Sequence, residues 1–84
     1  MKQRYPIVVV HSLDQAFYPG IWDPRTKEFT LSELCTVGHL LHRDDKAVVV
    51  ASEYFDDCDV RYVSVIPVNA IIEMKVLYEP EEDK

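Results

Sequence analysis

Two apolar runs joined by four charged residues form the stretch Leu40-Leu41-His42-Arg43-Asp44-Asp45-Lys46-Ala47-Val48-Val49-Val50. Apolar runs on either side of a short polar turn are typical of a β-hairpin. The stretch therefore predicts that Thr36–Arg43 and Ala47–Tyr54 are neighbouring antiparallel strands. Gly38 lies inside the first of these strands, where the missing side chain permits a sharp bend.

Three further strands are predicted on either side of this hairpin, and they make the chain all-β: Tyr5–His11, Val60–Ile66 and Ile71–Leu77. The fourth strand ends at Pro67 because proline cannot donate to a ladder, and Pro67–Ala70 is expected to form a 3₁₀ turn. The pattern predicts a small, strongly bent antiparallel barrel.

A short helical turn is the only other regular element that the sequence indicates. It opens at Thr30, which is a suitable N-cap, and Glu33 stands three residues on as its capping-box partner. The stretch 12–30 before it carries turn signals and aromatic residues, and we expect an ordered loop there.

Length and composition limit the chain to one domain with a small core. It has 84 residues, of which we assign 1–78 to a single barrel domain and 79–84 to an acidic disordered tail. A domain of this size buries only about 60–65% of its unfolded surface, which leaves it marginally stable. We therefore expect a homo-oligomer that pairs its edge strands.

The charge balance disfavours nucleic acid as a partner. Nine basic and 15 acidic residues give a net charge of −6, and removing the tail leaves 8 basic and 11 acidic residues. Nucleic-acid binders depend on basic surfaces that neutralise phosphates. A small anionic ligand held by one or two arginines remains compatible with this balance.

Cysteine usage and hydropathy indicate a cytoplasmic protein. Cys35 and Cys58 are too isolated for a CxxC pair, and both are expected to be free thiols. The apolar runs fall far short of the ~20 residues that span a bilayer, so no membrane association is expected.

The segment 36–76 resembles the Sm-like and related SH3-like small barrels. More closely, Val37-Gly38-His39-Leu40-Leu41-His42-Arg43-Asp44-Asp45 and the closing phrase Ile66-Pro67-Val68-Asn69-Ala70-Ile71 resemble small proteins encoded by tailed bacteriophages. The resemblance implies rings joined through the fourth and fifth strands, as in Sm-like RNA chaperones. It also implies a second class, phage proteins that sequester nucleotide signals of bacterial immunity, and it would place the protein in the host cytoplasm.

Enzymatic and metal-binding patterns are weak in this sequence. His39 and His42 lie three residues apart, which places them on opposite faces of a strand. Asp56-Asp57-x-Asp59 lacks the glycine and glutamate of a calcium loop. Adjacent residues such as His11 and Ser12 cannot face one another as a catalytic pair. We therefore expect a protein that is not an enzyme and that needs no metal or cofactor.

Seven side chains are candidate ligand contacts: Arg61, Trp22, Tyr54, Tyr62, Tyr18, Arg43 and His42. Arg61 suits a phosphate or carboxylate through its planar guanidinium, although an edge-strand gatekeeper or a partner for Glu73 is the alternative. Trp22 and Tyr18 suit base stacking, or else cap the open end of the barrel.

The leading hypothesis is a non-enzymatic oligomer that sequesters a nucleotide-derived immune signal of the host, with Arg61, Trp22 and Tyr54 as contacts. A module that binds a host protein or belongs to the virion, docking through a strand edge, is the first alternative. An Sm-like RNA-binding protein is the second, and the acidic balance disfavours it.

Overall fold

A computed structural model describes residues 2–14, 21, 23–25 and 31–81. Within them the chain forms one antiparallel sheet in the order β4-β3-β2-β1-β5. The strands and the single 3₁₀ turn are β1 (Ile7–Asp14), β2 (Ser32–Arg43), β3 (Ala47–Tyr54), β4 (Val60–Pro67), the turn Val68–Ala70 and β5 (Ile71–Tyr78). The all-β prediction is confirmed.

The long strand β2 forms the corner of the sheet. Its residues 32–39 pair with β1, whereas 39–43 pair with β3, so the partner changes at His39. Gly38 stands at this change, and a Cβ added there would lie 2.6 Å from the Ala51 carbonyl oxygen. Only a residue without a side chain allows β3 to come so close.

The core shows that the sheet folds over on itself. Five buried residues from β1, β3 and β4 form one cluster: Val8, Val10, Val48, Val50 and Ile66. Since two strands separate β1 from β4 in the sheet, their side chains can meet only across a bend. Leu40, Ile71 and Met74 pack against this cluster.

The sheet is bent but open. β4 and β5 stand at its two ends, and no ladder joins them in the described part of the chain. What the sequence indicates as a barrel is therefore an unclosed sheet with two edge strands.

Two sequence expectations are corrected, the bounds of the first strand and the helical turn. β1 begins at Ile7 and continues to Asp14, beyond the predicted His11. The predicted helical turn is wrong for Ser32–Leu34, which is strand, because these residues pair with Ser12–Asp14. That pairing outweighs the local capping preference, and Thr30 lies outside the described residues.

The two edge strands bury few of their side chains. In β4, Ile66 is buried but Tyr62 is 67% exposed; in β5, Met74 is half-buried but Ile72 is 54% exposed. An edge strand has a neighbour on one side only, so its alternate residues lack a second strand to cover them.

Beyond β5, residues 79–81 have no regular structure, and 82–84 lie outside the described part of the chain. No helix in the described ranges is both long and apolar enough to cross a lipid bilayer.

Candidate functional site

A pocket of about 260 Å³ opens where the β2–β3 turn meets the 3₁₀ turn. The two turns are joined by a hydrogen bond of 2.9 Å from the Val68 backbone N–H to the Lys46 carbonyl. Six residues line the pocket: Arg43, Asp44, Val48, Val68, Ile71 and Met74. Four of these are apolar and two are charged, which suits a small amphipathic molecule that carries an anionic group.

Asp44 is fixed within its own turn. Its Oδ1 accepts hydrogen bonds from the backbone N–H groups of Lys46 (2.8 Å) and Ala47 (2.9 Å), and its Oδ2 lies 2.7 Å from His42 Nε2. The bond to His42, followed by the two backbone bonds, lowers the pKa of Asp44 to about 2. The carboxylate is thus ionised at neutral pH and holds the turn that presents Arg43.

Arg43 is the arginine whose guanidinium is left available. Arg4 donates to the Asp56 carbonyl at 2.8 Å, Arg25 to Asp23 at 3.0 Å, and Arg61 to Glu53 at 2.7 Å. The Arg43 side chain makes no hydrogen bond or ion pair in the part of the chain that the structure describes. Its five N–H donors are therefore free to bind an anion at the pocket mouth.

Arg61 lies in a second cluster, at the start of β4. Its guanidinium stands 5.3 Å from the Phe55 ring and 5.2 Å from the Tyr62 ring, and it bonds to Glu53, which is its register partner on β3. The suggested partner Glu73 is wrong, because Glu73 pairs with Lys75 at 3.5 Å.

Tyr62 adopts a left-handed backbone conformation within this second cluster. Its φ of 58° is one of two positive values among the described non-glycine residues. An aromatic residue is strained there by about 1–2 kcal/mol. At this position β4 has no register partner on β3, and the Tyr62 side chain is exposed.

Tyr54 belongs to a third cluster, which holds the N-terminal segment. Its ring packs edge-on against Tyr5 (5.2 Å) and His39 (4.8 Å). Its hydroxyl donates to the Lys2 carbonyl and accepts from the Arg4 backbone N–H, each at 3.3 Å. Tyr54 thus makes contacts within the chain, where the sequence had suggested a ligand contact.

The predicted contacts that the structure describes do not form one site. Arg43 pairs with Val48 and Arg61 with Glu53. Those two partners lie five positions apart on β3, a separation of roughly 17 Å. Arg43 lines the pocket and His42 supports it through Asp44, whereas Arg61 and Tyr62 stand at the far end of β3. Trp22 and Tyr18 lie outside the described residues.

Sequence reasoning missed most of the pocket wall. Val68, Ile71 and Met74 join Arg43 only because the 3₁₀ turn packs against Lys46. No local sequence pattern predicts a contact between segments so far apart in the chain. The one available signal was Asp44, whose place after Arg43 in a polar turn is typical of a residue that bonds its own backbone.

No family model, curated protein or solved structure matches this chain. Among the described residues, no group of three or more His, Cys, Asp or Glu side chains is placed to hold a metal ion.

Proposed function

We propose that the protein is a non-enzymatic binding protein that captures a small, nucleotide-derived anion in the pocket beside Arg43. The observation that carries this proposal is the free guanidinium of Arg43 at the mouth of an apolar pocket. Apolar walls suit a base or sugar face, and the planar guanidinium suits a phosphate. Capture of a host immune signal by a phage-type protein in the host cytoplasm is the biological setting that we propose.

Asp44 adds selectivity to this pocket. Its carboxylate stays ionised and lines the same pocket as Arg43, so an anion is attracted to the guanidinium and repelled by Asp44. A ligand that also carries an N–H or hydroxyl donor gains a hydrogen bond to the carboxylate, which a bare phosphate lacks. Nucleotides have such donors on base and sugar.

Self-association through strand edges is part of the proposal. Both edge strands of the sheet carry exposed apolar side chains, and only six hydrophobic residues are buried in the described chain. A second copy that covers an edge would satisfy the open ladder and enlarge this small core.

Thermal denaturation with a nucleotide panel tests the ligand. Cyclic dinucleotides, ADP-ribose and mononucleotides are added to wild type, Arg43→Gln and the matched control Arg61→Gln. A true ligand at 100 times its Kd raises the Tm of a domain this size by about 10 °C or more. Wild type and Arg61→Gln should respond, and Arg43→Gln should not.

Two results would remove the ligand proposal. One is a panel in which no nucleotide changes the Tm of wild type. The other is a ligand that stabilises Arg43→Gln as much as wild type, because the pocket would then not be its site.

A protein-binding module is the second candidate, and the Arg61 cluster favours it. Phe55 in the β3–β4 loop and Tyr62 on the edge strand β4 are exposed beside Arg61. Aromatic residues and arginine dominate binding hot spots. A protein partner retained from bacterial lysate by wild type but lost with Tyr62→Ala would support this candidate. RNA binding gains no support from a net charge of −6.

A further inference from the structure

The two open edges of the sheet differ in how well they can accept another strand. In β4 the left-handed Tyr62 has no register partner on β3, and the strand ends in Pro67, which has no N–H to donate. Both features are ways in which proteins protect an edge from pairing. β5 has its irregularities at its two ends, near Ile72 and Leu77, and keeps a regular centre over 73–76. The β5 edge is therefore the better acceptor.

The β5 sequence is complementary to itself when it is reversed. Met74 has a charged neighbour on each side, Glu73 before it and Lys75 after it. Beyond each charged residue the strand continues with two aliphatic residues. The Glu73 and Lys75 side chains are 54% and 64% exposed. Ile72 and Leu77 are 54% and 60% exposed as well. This strand thus carries both the charges and the apolar surface that a copy of itself would match.

We infer that β5 pairs antiparallel with β5 of a second copy, about a two-fold axis that passes through Met74. In this register Glu73 lies opposite Lys75 of the other copy, and the reverse pair is identical by symmetry. Ile72 comes to lie opposite Val76, at the limit of the regular centre of β5. Directly opposed side chains in an antiparallel pair are about 4.5–5.5 Å apart at Cβ, close enough for these contacts.

Neighbouring registers are worse for definite reasons. A register centred on Glu73 or on Lys75 places two like charges directly opposite each other, which destabilises a strand pair. A register centred between two residues places Met74 opposite Glu73 or Lys75. Met74 faces the core, whereas Glu73 and Lys75 face away from the core. The core face of one copy would then continue into the outer face of the other.

This dimer specifies the self-association that we proposed above, and it depends on that proposal. The two sheets become one continuous sheet with β5 and its copy at the centre. Since Ile71 and Met74 also line the Arg43 pocket, the two pockets come to lie on either side of the axis with the paired Met74 side chains between them.

A charge-exchange experiment tests the register. Glu73→Lys places lysines at both 73 and 75, and Lys75→Glu places glutamates at both, so each variant repels its own copy. We expect each to raise the dimer Kd about tenfold or more at low ionic strength, as measured by analytical ultracentrifugation. An equimolar mixture of the two pairs lysine with glutamate at every opposed position and should dimerise as tightly as wild type.

Controls change the net charge equally but away from β5. Asp45→Lys and Lys46→Glu lie in the exposed β2–β3 turn, and both should leave the wild-type Kd unchanged. Circular dichroism of each variant checks that the sheet is retained.

The outcomes separate this register from self-association as such. If wild type associates but the two variants associate equally well, or if their mixture is no tighter than either alone, the β5 register is overturned and another edge is in use. An assembly of more than two copies that these variants do not affect overturns the register as well. A wild-type monomer at every concentration overturns both the dimer and the proposed self-association.

Discussion

Substitution of Gly38 by alanine tests the corner that shapes the sheet. The added Cβ would lie 2.6 Å from the Ala51 carbonyl oxygen and 2.8 Å from Val50 Cγ1, whereas ordinary contacts begin at 3.4 Å. Gly38 has no positive φ, so the cost is steric and independent of backbone strain. The nearer of the two atoms, the Ala51 carbonyl oxygen, belongs to the backbone of β3, so this clash can be relieved only if β3 moves. We therefore expect the upper part of the usual range for overpacking, about 2–3 kcal/mol.

Urea unfolding followed by circular dichroism measures this loss. For a small domain with a slope of about 1 kcal/mol per M, the midpoint should fall by roughly 2 M. Ser52→Ala, at an exposed position of the same β3 strand, is the matched control and should change the free energy of unfolding by less than about 0.5 kcal/mol. A Gly38→Ala variant within about 0.5 kcal/mol of wild type would refute the close approach of β2 and β3.

Two further changes test the turn and the N-terminal segment. Because the folded pKa of Asp44 is lowered from 3.8 to about 2, its contribution to stability is complete above pH 3.8 and is lost as the pH falls through 2. Urea midpoints of Asp44→Asn should therefore vary less with pH across that window than those of wild type, and parallel profiles would contradict this. Tyr54→Phe removes a hydroxyl that bonds Lys2 and Arg4, so we expect a loss of about 1 kcal/mol and faster hydrogen exchange at the Arg4 amide. Tyr62→Phe, whose hydroxyl has no described partner, should leave both quantities unchanged.

The strands were predictable where the residue type and its neighbours indicate the same structure. Ala47–Tyr54 was predicted with the bounds that the structure shows, because an apolar run between a charged turn and an acidic loop has no competing interpretation. Pro67 likewise marked the 3₁₀ turn. The error at Ser32–Leu34 has the opposite cause, since a good capping box was outweighed by pairing with β1.

The candidate site was predictable only at Arg43 and His42. Both stand at the end of β2, next to the hairpin turn whose polarity is visible in the sequence. Arg61 and Tyr54 are equally conspicuous in sequence, yet the structure commits them to Glu53 and to the N-terminal segment. Whether an arginine side chain is free to bind a ligand depends on whether a carboxylate lies opposite it in the neighbouring strand. Residue type alone does not reveal this.

The sequence alone determined that this chain is a single antiparallel β unit, with a glycine at its bend and a proline at its last turn. Those features follow from steric preferences that act within a few residues of the chain. Only the tertiary structure decided that β4 and β5 remain open edges and that Val68 and Met74 close a pocket around Arg43. These depend on contacts between distant segments, because burial, register and free charge are properties of the packed sheet.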